Sequence, residues 1–196
     1  MNEILIEKAL IDLDFKQKKA FGFFCFRRVE NLYSNIDEYI DISLANKDLP
    51  KGSAYKTLLK MSEFLCKKND NFHDLFNVNK TKVETLVLDI ENIYENNIKN
   101  ILAMLVAQNL LYLYEFEETK SNEKIFNCSE NTLEIVNQLQ SDIFFQKLKG
   151  DDEDLDSYLQ KFFDNEYGVQ LEAIELIKDR KFNDLNILEQ NTIIHY

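Results

Sequence analysis

Proline occurs once (Pro50), glycine four times and tryptophan not at all in the 196 residues. Sandwiches and barrels need many Gly- and Pro-bearing turns, and doubly wound folds place glycine at their strand–helix loops, so this scarcity argues against both classes. Histidine is nearly as rare: His73, three residues after Asp70, and the penultimate His195. A triad or an imidazole-based metal site would have to be built on these two, and neither has a nucleophile or a ligand set nearby in sequence. The cysteines, Cys25, Cys66 and Cys128, form no C-x-x-C, so no zinc or thioredoxin-like site is expected. Each lies in an apolar helical context and reads as a small buried hydrophobe in a reducing compartment.

Dinucleotide, phosphate-loop, nucleophile-elbow and H-E-x-x-H motifs are all absent, as is the Glu-x-x-His pair of di-iron bundles. The expectation is therefore no enzyme: no catalytic residue, no cofactor and no metal ligand is assigned. The longest apolar run, Ile101 to Tyr114, spans 14 residues and contains Gln108 and Asn109. It is too short and too polar for a membrane span and reads as a central buried helix. The opening Met1-Asn2-Glu3, with Glu7 following, carries no positive region before an apolar stretch. No secretory signal is expected, and the predicted location is the cytoplasm.

What is present is apolar material at helical spacing. With 45% hydrophobic and 30% charged residues, the composition is that of a folded globular chain, and 196 residues is the size of one domain, taken as 1–196. A domain of this size buries roughly 70% of its unfolded surface. The spacing predicts helices over 3–13 and 15–32, the latter capped by Asp14. Ser34-x-x-Asp37 resembles a capping box before a helix over 35–46. Leu49-Pro50-Lys51-Gly52 is a turn, and Ser53 opens a helix to Lys68. The Asn-rich stretch 67–79 reads as a packed loop or a short turn of helix, followed by a helix from Thr81 to Glu95. The central helix runs to Glu117. A helix over 123–140, broken near Cys128-Ser129, and a short one over 142–149 come next.

In 155–181, Leu159, Phe163, Tyr167, Leu171 and Ile174 recur at helical spacing and form the inward stripe, with Gly168 inside it marking a close helix contact. The tail 183–196 has no clear period. The fold class is all-α: one domain of seven to nine helices around a central apolar helix.

Charge is the other positive feature. The net charge of −12 opposes binding to nucleic acid or to an anionic membrane. It is also uneven: residues 1–100 carry 15 basic and 16 acidic side chains, and residues 101–196 carry 8 and 19. Asp151, Asp152, Glu153 and Asp154 precede the last long helix, where negative charge opposes the helix dipole. Asp164, Glu172, Glu175 and Asp179 continue along that helix off the expected core stripe. Together these eight form the predicted partner-binding ridge, a docking face for a basic protein. Lys16, Lys18, Lys19, Arg27 and Arg28 make a small basic patch on the second helix, able to pair internally with the acidic half.

Three stretches carry a family resemblance: Phe21-Gly22-Phe23-Phe24-Cys25-Phe26-Arg27-Arg28, the helix Ile98 to Tyr114, and Glu172-Ala173-Ile174-Glu175-Leu176-Ile177-Lys178-Asp179. On these the chain resembles the YjaG-like family of bacterial proteins of unknown function, and its length fits as well. The sequence departs from that family after Arg28, where the family tends to carry a proline before its tyrosine, and in the Asn-rich 70–80 segment. The resemblance implies an all-α, acidic protein and supplies no catalytic residues.

The functional expectation is a non-catalytic protein-binding module, in its most specific form an immunity-type inhibitor of a basic toxin such as a nuclease. The alternatives are a carboxylate-dependent metal enzyme and a housekeeping factor acting by self-association. A homo-oligomer stays open.

Overall fold

The computed structural model describes residues 2–35, 53–67, 71–87, 97–147 and 154–195. Among these, every regular element is helical: eight α-helices and one 3-10 segment. Helix α1 spans Asn2–Ile11, and α2 (Phe15–Val29) begins at a capping box, Asp14 accepting from the Gln17 amide while Gln17 accepts from the Asp14 amide. The 3-10 segment Glu30–Asn35 follows. Then come α3 (Ala54–Cys66), α4 (Phe72–Leu86), α5 (Ile98–Thr119), α6 (Asn122–Lys147), α7 (Leu155–Lys178) and α8 (Phe182–Asn191). Residues 36–52, 88–96 and 148–153 lie outside the described residues. With them go the expected helix over 35–46, the Pro50 turn and the acids Asp151, Asp152 and Glu153.

Helix α5 is apolar over most of its circumference because neighbours cover most of it, with Ile101, Met104, Gln108, Leu111 and Glu115 half-buried on the remaining face. It packs most extensively on α6 and also meets α2, α4 and the 3-10 segment. Leu102, Val106, Leu110, Leu113 and Tyr114 are buried along it, and the Tyr114 hydroxyl donates to the Met61 carbonyl at 2.9 Å. The phenylalanines of α2 complete the core, with Phe21, Phe24 and Phe26 fully enclosed. Gly22 permits the close approach of α2: a Cβ there would lie 2.5 Å from Leu113 Cδ2 and 3.0 Å from Ile125 Cδ1.

Four local readings change. The Asn-rich stretch is helical from Phe72 onward. Phe72 stacks on Phe64 at 5.1 Å and Phe76 lies 5.3 Å from Tyr114, so two aromatic anchors hold a segment whose composition suggests a loop. Helix α6 is unbroken and runs on through Lys147, so 142–147 is its last part and not a separate helix; Ser129 and Thr132 turn inward and hydrogen-bond rather than interrupting it. The tail forms α8, set off from α7 by Arg180 in the left-handed region (φ 59°). Gly168 marks no helix contact: it faces solvent, with nothing within 4 Å of a Cβ placed on it.

Candidate functional site

Helix α7 sorts its carboxylates to opposite sides. At about 100° per residue, Asp164, Glu172, Glu175 and Asp179 fall within an arc of about 80°. All four are exposed. Asp154, also exposed, sits at the N-cap and accepts from the Ser157 amide at 3.4 Å. The four therefore form one external face, with Asp154 at its start.

Their local partners are few and solvated. Asp164 accepts from Gln160 at 2.9 Å, Lys178 lies 3.7 Å from Glu175, and Lys181 lies 2.9 Å from Asp179. Glu172 has no hydrogen-bond or ion-pair partner among the described residues. Exposed pairs of this kind hold their geometry weakly and exchange readily for an incoming charge.

The buried face of α7 is rotated by about 60° from the expected stripe. Its buried residues are Leu159, Glu166, Gln170, Ala173, Ile174 and Ile177, whereas Phe163, Tyr167 and Leu171 are only half-buried. The reason is Arg28. Its guanidinium, 2% exposed, donates from Nη1 and Nη2 to Glu166 Oε1 and Oε2, both at 2.7 Å, and from Nε to the Thr192 carbonyl at 3.0 Å. Gln170 Nε2 donates to Glu166 Oε1 at 2.9 Å, and Ser129 Oγ donates to Gln170 Oε1. The Ile194 amide donates to the Arg28 carbonyl at 2.8 Å, which ties the chain end to α2. One polar network thus joins α2, α6, α7 and the C-terminal segment.

Arg28 is therefore a buried structural cation, not part of an exposed basic patch. Two other basic residues of α2 also pair with the acidic half: Lys19 with Glu117 at 2.7 Å and Arg27 with Glu189 at 3.7 Å. The internal pairing of α2 uses Glu117, Glu166 and Glu189, and the α7 surface carboxylates are left outside it. The internal pairing of α2 with the acidic half was expected from the sequence, but the burial of Arg28 and Glu166 was not, although a signal was available. Phe21, Phe24, Cys25 and Arg28 follow i, i+3, i+4, i+7, which places the arginine on the core stripe of α2.

The remaining titratable groups are dispersed. Burial pushes the Cys25 thiol up to about 12 and raises that of Cys128 well above its ordinary value, so both stay protonated. Cys66, expected inside, is exposed at the end of α3, with Arg27 Nη2 3.8 Å from its sulfur. His73 and His195 are both exposed and on different elements. His73 meets the edge of Phe72, and His195 Nδ1 lies 3.2 Å from Asn31 Nδ2. Burial raises the carboxyl groups of Glu30 and Glu189 above the ordinary carboxylate range, against the lowering effect of Arg27. Among the described residues no group of three or more His, Cys, Asp or Glu side chains could hold a metal ion. Likewise, no described helix is long and apolar enough to cross a membrane.

The geometry defines the class: an all-α protein with an acidic external helix face and a buried ion pair behind it. Its fold is similar to that of a DUF416 family protein from Shewanella baltica, seen in a crystal structure. The TM-score is 0.51 and the identity 18%, over 96% of this chain and 86% of that one. That likeness concerns the fold, and the neighbour's family is itself of unknown function. No family model matches the chain, and no curated protein does.

Proposed function

We propose that this chain is a protein-binding module whose α7 face receives a basic protein. The observation that supports it is the division of α7: Glu166 is turned in and matched by Arg28, while Asp164, Glu172, Glu175 and Asp179 are turned out along one arc. Complementary fields speed the encounter of such a face with a cationic surface and orient it on arrival.

The specific form of this reading is an inhibitor of a basic enzyme, such as a nuclease, whose phosphate-binding surface the carboxylates would occupy. Asp151, Asp152 and Glu153 extend the same acidic sequence and belong to the proposal on sequence grounds alone. We also assign the chain to the YjaG-like family on its three resembling stretches, now placed on α2, α5 and α7; the fold likeness is compatible with that assignment.

The experiment is site-specific photocrosslinking in living cells from position 172, with position 82 on α4 as a control. The partner captured at 172 is then titrated with purified protein across a range of salt concentrations. A basic partner, captured from position 172 only and bound less tightly as salt rises, is expected. A neutral or acidic partner, or binding indifferent to salt, would overturn the reading.

A further inference from the structure

A cleft of about 290 Å³ lies between α6, α7 and the C-terminal segment, away from the acidic face. Val136, Leu139, Phe162 and Val169 line it together with polar groups, among them the Arg28–Glu166 pair, Thr192 and His195. Pairing leaves Arg28 and Glu166 with unused capacity. A guanidinium has five N–H donors. Here three of them have protein acceptors, the Thr192 carbonyl and the two Glu166 oxygens. Glu166 Oε2 accepts from Arg28 Nη2 alone, while Oε1 serves both Arg28 and Gln170. Donors and an acceptor therefore sit side by side, almost completely buried, against a cleft lined by both polar and apolar side chains.

We propose that this cleft binds a small uncharged molecule bearing a carboxamide edge on an apolar body. A carboxamide presents a carbonyl acceptor and an N–H donor next to each other, which matches an arginine N–H beside a carboxylate lone pair. An uncharged ligand fits because the ion pair is already neutral, and an added charge would be desolvated without a counter-charge. The apolar body would lie against Phe162 and the aliphatic walls, as small-molecule sites commonly arrange it. The side-chain amides of Gln140 and Asn165, which also line the cleft, are within the set of groups such a ligand would meet.

Three monosubstituted benzenes test the proposal: benzamide, the isosteric benzoate, and toluene, each titrated up to about 5 mM against ¹⁵N-labelled protein and read from backbone amide shifts. For a ligand of about nine heavy atoms, a benzamide Kd on the order of 1 mM is expected, with shifts at Val169, Ile193 and Ile194. Benzoate and toluene should bind at least about tenfold more weakly, the first because its carboxylate meets Glu166 and the second because it has no polar edge. Val169→Phe fills the cleft without touching the ion pair and should abolish the benzamide shifts. Should that variant melt early, Ile193→Trp at the exposed mouth serves the same purpose. Absence of shifts with all three probes would mean that the cleft holds only water. That result, equal binding of benzoate or toluene, or undiminished benzamide binding in both cleft variants would each overturn the proposal.

Discussion

Replacing Glu166 with alanine leaves the Arg28 guanidinium charged, 2% exposed and short of its counter-ion. Two hydrogen bonds of 2.7 Å disappear, and Gln170 Nε2 loses its acceptor at 2.9 Å, keeping only the Ser129 carbonyl at 3.4 Å. Breaking one side of a buried pair typically costs about 3–5 kcal/mol, most of it the penalty of an uncompensated buried charge. For a protein of this size each kcal/mol moves the melting temperature by about 2–4 °C, so a fall of roughly 6–20 °C is expected.

The double replacement Arg28→Met/Glu166→Leu removes both charges and keeps apolar volume. It should recover most of the loss, ending within about 2 kcal/mol of the wild type. The residual reflects the Thr192 carbonyl, which loses the Arg28 Nε donor, and Gln170 Nε2, which loses its Glu166 acceptor. The assay is urea denaturation of Glu166→Ala and of the four proteins of the cycle (wild type, Arg28→Met, Glu166→Leu and the double), with coupling read from the midpoints at constant m-value. A Glu166→Ala cost below about 1 kcal/mol, or a double variant whose loss equals the sum of the singles, would refute the buried-pair reasoning.

Other expectations follow from the packing and titration of the fold. Gly168→Ala should stabilise by about 0.5–1 kcal/mol, since the helix gains a better residue and the added Cβ meets nothing, as a thermal melt would show. Leu110→Ala, at a fully buried position of α5, should cost about 2–5 kcal/mol in denaturant unfolding. Because burial raises the Glu30 and Glu189 carboxyls, the folded state holds their protons more tightly than the unfolded chain does. The stability from that preference is fully present below the ordinary carboxylate range and is lost as pH rises through the raised folded values. Melting temperatures from pH 7 to 4 should therefore show the wild type gaining on a Glu30→Gln/Glu189→Gln variant as pH falls, and a constant difference would contradict the assignment.

The helical class was readable because apolar spacing and the shortage of Gly and Pro agree along the whole chain. Helix α5 illustrates this, its apolar run from Ile101 to Tyr114 lying inside Ile98–Thr119. What escaped were polar residues placed inside. The apolar stripe of α7 leaves Glu166 at its edge and passes over Gln170 because it is polar, yet each faces inward because a partner waits on another helix, 138 residues away in the case of Arg28 and Glu166. Asn79 had the same effect on α4: it is buried in line with Phe72 and Val83, and its polarity hid the stripe. Cys66 went the other way, exposed despite apolar neighbours because it sits at the last position of α3. The acidic positions Asp164, Glu172, Glu175 and Asp179 were legible as a face, since a helix of known phase places them together. What they bind is a property of another molecule and is not written in this chain.

The central claim is that the outward carboxylates of α7 guide a basic partner. Its most direct test is the association rate of the crosslinked partner with wild type and with Asp164→Asn/Glu172→Gln/Glu175→Gln/Asp179→Asn, measured as ionic strength rises. Screening shortens to about 8 Å at physiological salt and about 3 Å at 1 M, so a steered rate should fall steeply over that range. The account predicts a several-fold slower, nearly salt-independent rate for the variant, with the fold intact by circular dichroism. An unchanged rate with the wild-type salt dependence would contradict it.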